Sequence, residues 1–408
     1  MFKKIISVFL ALILAALLSV LPAAAAASPK INDMSAVSSK LSGELFAELY
    51  RQNGGENFFF SPYSLAIALT MANAGAAGNT RSQINRVMGI SDVDALMDSY
   101  EKQRAEKLPD GVKFTSANGV WINRSQLGAN AVRTSWRRAM QGKMGATVRV
   151  TDFGPSTTKE ISEWARRSTG GLIPNYEPAV KDTDAMDILN AIHFEGGWKN
   201  PFDVSLTKKQ NFTNLDGTKS RVDMMHDGGE EYSYYRDGKF QGLEVPYRGG
   251  RLVMDLVLPV SGKSRKVGEE WAKLSADEQA AFLKGIDRAA QQEIEELALP
   301  KFSMDRTVGG LKEALQATGM TDAFDSERAN FDNMAHELFV SDINQRAVLN
   351  VDEKGTKAAA VTEITMDNRA MPLQPETPVR FLCDRPFLMF IRDAVTGQVL
   401  FAGVCNKL

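Results

Sequence analysis

Apolar residues recur along this chain first at helical spacing and then at strand spacing. Val37, Leu41, Leu45 and Leu49 fall four apart, on one face of a helix, and Ser61-Pro62 supplies a cap and a first-turn proline for a second helix through Leu65, Leu69 and Ala72. In the second half β-branched and aromatic runs dominate. They predict strands over Ile188 to Phe194, Gly242 to Pro246, Leu252 to Leu258 and Ile294 to Leu299. Two more, Phe387 to Arg392 and Gln398 to Val404, are joined by a turn at Asp393 to Gly397. Helices followed by strands without regular βαβ alternation predict an α+β architecture. No repeat, low-complexity block or long Gly/Ser/Pro linker interrupts residues 28–408, so a single domain is expected there.

The N-terminus has a different character. Lys3 and Lys4, an apolar run from Ile5 to Leu21, Pro22 and the small residues Ala23 to Ala27 form the pattern of an export signal over residues 1–27. The apolar run is nearly long enough to cross a bilayer, but the alanine tract favours cleavage near Ala25 to Ala27 over retention as an anchor. A secreted or extracellular protein is expected, with periplasmic or cell-surface placement as variants. The 408 residues are 44% hydrophobic and 24% charged, the profile of a folded soluble domain. Net charge is -2, and -4 once Lys3 and Lys4 are lost, so no basic field exists to hold nucleic acid or an anionic membrane.

Two cysteines, Cys383 and Cys405, exclude a disulfide framework and leave one bridge or two buried thiols open. If Arg392 faces Gln398 in the final hairpin, the same register brings Cys383 within about two positions of Cys405. Three histidines, His193, His226 and His336, restrict catalysis. None lies in HExxH, and Gly154-Pro155-Ser156 lacks the second glycine of a nucleophile elbow. Phosphate-binding motifs are missing as well. Neither enzyme activity, a cofactor nor a metal is expected.

The stretch from Val351 to Pro372, VDEKGTKAAAVTEITMDNRAMP, meets no proline until its last residue. One alternate set, Thr356, Ala358, Ala360, Thr362, Ile364 and Met366, is small or apolar; the other, Lys357, Ala359, Val361, Glu363, Thr365, Asp367 and Arg369, is mostly polar. A period of two predicts a strand with one buried face. Yet Asp367-Asn368-Arg369 followed by Met371-Pro372 reads as an exposed, cleavable loop tip. Both readings hold for a segment that is a loop first and a strand afterwards.

The segment Glu353-Lys354-Gly355-Thr356-Lys357-Ala358-Ala359-Ala360 resembles the hinge of the serpin family. Further serpin-like segments are Asn57 to Thr80, Asn190 to Phe202, Val245 to Tyr247, Leu299 to Phe302 and Phe381 to Ile391. The resemblance implies helices packed around a large mixed sheet with smaller sheets, and an exposed reactive loop over residues 353–372. It also implies a monomeric, single-use inhibitor whose loop is cut by a protease and enters the sheet. Counting fourteen residues from the hinge glycine places Arg369 before the scissile bond and Ala370 after it, so a trypsin-like serine protease is the expected partner. A shift of one residue would present Asn368 instead, and an Arg-directed cysteine protease is the second target class. A carrier or chaperone is the competing function, against which the small hinge residues weigh. The resemblance further implies a sheet-opening cluster of Ser61, Ser64, Asn190 and Gln345, with Trp198 where the loop starts to insert. Gln345 stands where many serpins have histidine, so this point is expected to add no imidazole titration.

Overall fold

The first helix begins where its cap stands. Asp33, in extended conformation, accepts a hydrogen bond from the Ser35 amide and starts α1 (Met34–Gln52), whose buried stripe is Val37, Leu41, Leu45 and Leu49. The computed structural model describes residues 33–127, 131–173, 176, 178, 180–262, 264–356 and 378–408. The expected signal segment 1–27, and Lys357 to Ala360, Arg369 and Ala370 of the loop, lie outside the described residues. Residues 31–408 form one compact unit.

After the short strand β1 (Phe58–Phe60), Ser61 caps α2 (Pro62–Gly75) through its hydroxyl and Pro62 occupies the first turn. This helix is buried on almost every side, which makes it the axis of the core rather than a surface element. Then come α3 (Gly78–Met88), α4 (Val93–Ala105), β2 (Val112–Asn123), α5 (Arg124–Leu127), α6 (Thr134–Gly142), β3 (Thr147–Thr151), α7 (Pro155–Ser168) and β4 (Met186–Gly197). Strands β5 (Lys208–Thr213), β6 (Lys219–Asp227), β7 (Glu230–Arg236), β8 (Phe240–Pro246) and β9 (Leu252–Pro259) follow. The remainder is α8 (Val267–Trp271), α9 (Ala276–Asp287), β10 (Gln291–Pro300), β11 (Phe302–Val308), α10 (Leu311–Ala317), β12 (Asp342–Asp352), β13 (Gly355–Thr356), β14 (Val379–Leu382), β15 (Phe387–Asp393) and β16 (Val399–Cys405).

The strands expected at 188–194, 242–246, 252–258, 294–299 and 387–392 each lie within one of these, and that expected at 398–404 starts one residue later, at Val399; the alternating segment after Thr356 lies outside the described residues. The α+β class stands, although strands also enter the first half: β2 escapes pattern reading because Ser116, Asn118 and Gly119 interrupt it. Pairing on both sides, with β3 and β4, overrides that weak local signal.

The strands form two sheets. Ten lie in one, ordered β1-β16-β15-β9-β8-β7-β10-β6-β5 with β14 added parallel to β10; six lie in the other, ordered β11-β12-β13-β4-β2-β3. It is the six-stranded sheet, the smaller by strand count, that takes up Gly355 and Thr356. Its even-numbered β4 residues Ile188 and Ile192 join the main core, while Leu189 and Ala191 pack with Trp121, Ile161, Trp164 and Tyr176 on the α7 side.

The closing hairpin shifts one residue from the expected register. Asp393 pairs with Gln398 across the turn, its carboxylate accepting from the Val395 and Thr396 amides, so Arg392 faces Val399. Leu400 is bulged out, and Phe387 then faces Cys405. Cys383 falls beyond that ladder and donates its amide to the Ala298 carbonyl; both cysteines are free, buried thiols. Burial raises the pKa of each thiol above the ordinary value.

Candidate functional site

The centre of the site is a seam between two parallel strands. β4 and β12 pair from Asp187 and Asp342 up to His193 and Val348, then part, and β13 occupies the gap above. The chain leaves β12 at Asp352, turns through Glu353 and Lys354, and returns as Gly355 opposite Gly197 and Thr356 opposite Gly196. Gly355 and Thr356 thus already form a strand with neighbours on both sides.

The local sequence explains why the turn forms there. Asp352 accepts from the Lys354 amide at 2.9 Å through its carboxylate, and its own carbonyl accepts from the Trp198 indole at 2.9 Å. The Trp198 and Phe202 amides donate to the carbonyls of Lys354 and Glu353. Trp198 stacks on Tyr247 at 4.7 Å, and the Tyr247 hydroxyl shares a 2.7 Å hydrogen bond with Thr356 Oγ1. Gly355 has φ of 144°, and a Cβ there would lie 2.1 Å from the Gly196 carbonyl oxygen. Since the obstacle is backbone, only glycine fits.

Glu353 ties the turn down electrostatically. It accepts from Lys301 Nζ at 2.7 Å and from the Thr207 hydroxyl at 2.9 Å. Burial pushes its carboxyl up, but the Lys301 ammonium and Thr207 hydroxyl outweigh this and hold its pKa below the usual value. Lys301 is raised in turn, chiefly by Glu353.

Lower in the seam, Gln345 makes the bidentate contact that holds β12 to the core. Its side-chain oxygen accepts from the Ser61 amide at 2.6 Å and its nitrogen donates to the Ser61 carbonyl at 3.0 Å. The Ser61 hydroxyl donates to the Leu400 carbonyl and accepts from the Ser64 amide. Asn190, the strand neighbour of Gln345, donates to Asn118 at 2.7 Å instead. Ser61, Ser64 and Gln345 are therefore brought together and Asn190 stands beside them. Trp198 does not join them: it lies eight residues farther along the chain, about 26 Å at strand rise, beside the hinge.

Residues the sequence reading missed are Thr207, Tyr247, Lys301, Gly196 and Gly197 as partners of Glu353, Gly355 and Thr356. No local signal marks them, because Tyr247 and Thr356 are 109 positions apart. The three histidines lie apart, each facing a carboxylate: His193 with Glu195, His226 with Glu296 and His336 with Asp332. Among the described residues no group of three or more His, Cys, Asp or Glu could hold a metal ion. Nor is any described helix long and apolar enough to cross a membrane.

Comparison with known proteins decides the family. The family model for serpins, serine protease inhibitors, matches residues 36–408. The chain belongs to the serpin family. This serpin is 32% identical to an uncharacterized serpin-like protein of Thermococcus kodakarensis over 87% of its own length and 82% of the relative's. It is 34% identical to Iripin-2 of Ixodes ricinus, over 86% and 88% of the two chains. Among solved structures it superposes on the thermophilic serpin tengpin in its native state with a TM-score of 0.79 and 24% identity, over 91% and 94% of the two chains. Serpins are usually protease inhibitors rather than enzymes, and some members of the family do not inhibit.

Proposed function

We propose that this serpin is a secreted suicide-substrate inhibitor of trypsin-like serine proteases. The observation that carries the reading is β13: the hinge of the loop already sits as a strand between β12 and β4, in the register that a longer insertion would continue. The protease serine attacks the Arg369 carbonyl, the bond to Ala370 breaks, and Arg369 remains esterified to the enzyme. Before water hydrolyses that ester, the freed segment extends β13 downward. From Gly355 to Arg369 is fourteen steps. At about 3.3 Å each these span roughly 46 Å, enough to carry the esterified protease along the sheet.

Continuing the register of Gly355 and Thr356 brings an inserted Lys357 opposite Glu195, on the same face. Glu195 already faces the Lys113 ammonium at 3.8 Å and the His193 ring at 3.2 Å. Lys357 thus has an acidic counterpart on the strand it would join. Reversing that charge with Glu195→Lys is expected to lower the ratio of trapped to released protease about fivefold, the equivalent of roughly 1 kcal/mol for a partly exposed pair. Adding Lys357→Glu should restore the ratio; no recovery in the double variant would refute the pairing.

The decisive experiment is incubation with trypsin followed by denaturing electrophoresis. A covalent band at the summed mass supports inhibition. Clipping without a complex favours a carrier, and failure to clip after Arg369 overturns the assignment of the reactive bond.

A further inference from the structure

At the foot of the seam two carboxylates face each other. Asp187 on β4 and Asp342 on β12 are direct partners in the parallel ladder, the first pair of the seam. Neighbouring strands lie about 4.8 Å apart, so the two residues leave their strands that close and on the same face. Asp187 is buried, with one carboxylate oxygen lacking a hydrogen-bond partner among the described residues; Asp342 is partly buried. Tyr176, which follows α7 and packs with the sheet on this face, likewise has a buried hydroxyl with no partner among the described residues.

We propose that Asp187 and Asp342 form a charge couple at the foot of the seam whose mutual repulsion opens β4 from β12 to admit the loop, and whose protonation holds the seam shut. This rests on the insertion reading given above. A strand entering between β4 and β12 doubles the separation of the two residues to about 9.6 Å and so relieves the repulsion.

The surrounding charges do not neutralise the couple. Asp187 is raised to about 8 by burial first and then by Asp184 and Asp342, against the opposing Lys181. Asp342 is raised by burial, with Glu313 adding to the effect and the Ile343 amide, Lys312 and Asn344 opposing it. The Lys312 ammonium donates to the Ser341 carbonyl, and Arg346 on the same face of β12 pairs with Asp305 at 2.6 Å. A carboxyl whose pKa is raised in the closed seam stabilises that state while protonated, and the stabilisation is lost as pH rises through about 8. Insertion therefore becomes more favourable with rising pH. Gln345, at the middle of the seam, adds no titration of its own.

The test is annealing of an N-acetylated synthetic peptide with the sequence of residues 356–369 to the intact protein, followed by tryptophan fluorescence between pH 6 and 9. Lys357, Glu363, Asp367 and Arg369 of the free peptide keep their charges across that range. The unmodified protein should anneal about tenfold faster at pH 9 than at pH 6, the consequence of a fall of about one pKa unit on separation. Asp187→Asn and Asp342→Asn should each flatten the profile to less than about twofold, while His193→Gln should leave it in place. Asp342, being partly exposed, carries the test should Asp187→Asn fail to fold. An unchanged profile in Asp342→Asn, or a flattened one in His193→Gln, overturns the proposal. Absence of annealing in every protein at every pH overturns the insertion reading itself, and the charge couple with it.

Discussion

Cutting the Arg369–Ala370 bond is expected to raise the midpoint of thermal unfolding by about 10 °C or more, given an unfolding entropy of about 2.1 cal/mol/K per residue. The intact seam holds one ladder between β4 and β12. An inserted strand replaces it with two, a net gain of one ladder, and about ten hydrogen bonds at roughly 1 kcal/mol each amount to about 10 kcal/mol before apolar burial is added. Spread over residues 31–408, the unfolding entropy is about 0.8 kcal/mol/K, which turns that gain into some 13 °C. On that reading the uncleaved fold would be a kinetically trapped state, held by the Gln345 clasp on Ser61 and by the closed strands. Scanning calorimetry before and after limited trypsin digestion measures the shift. An unmoved midpoint after complete cleavage at Arg369 would mean that the freed segment does not enter the sheet.

Thr356→Arg is expected to abolish trapping while leaving cleavage intact. Thr356 is 0% exposed, its hydroxyl bonded to Tyr247 and its backbone paired with Gly196 and Val351. A guanidinium on this face meets glycine, valine and the aromatic pair Trp198 and Tyr247, none of which offers a carboxylate. Burying an unpaired charge costs several kcal/mol, so insertion should slow by more than about a hundredfold. The scissile bond lies thirteen residues farther along and should be acylated as before. The ester then hydrolyses, and the protein behaves as a substrate. The ratio of covalent complex to cleaved product reads this directly. Thr356→Ser, which keeps the hydroxyl for Tyr247, should retain trapping, and a Thr356→Arg protein that still traps at the original yield would show that the hinge need not enter the seam.

Short-range physics was written plainly in the chain. Ser61-Pro62 caps and opens α2 as its sequence implies, the Val37 to Leu49 stripe is the buried face of α1, and β4, β8, β9, β10, β15 and β16 lie where their apolar runs predicted. These depend on spacing, capping and side-chain shape within a few residues. Gly355 and Thr356 were legible too, as small residues at a point where backbone meets backbone.

What depends on distant partners could be settled only by the tertiary structure. The one-residue shift of the final hairpin follows from the Asp393 turn and the Leu400 bulge, which move Cys383 out of line with Cys405. Trp198 stacks on Tyr247, far along the sheet from Gln345, a contact across 49 residues that no local pattern encodes. Thr207 and Lys301 become partners of Glu353 across intervals of 146 and 52 residues, and no local pattern encodes such meetings. Periodicity determines which face a residue occupies; which strand then lies beside it is a property of the folded sheet, where register and long-range pairing bring charges such as Asp187 and Asp342 side by side.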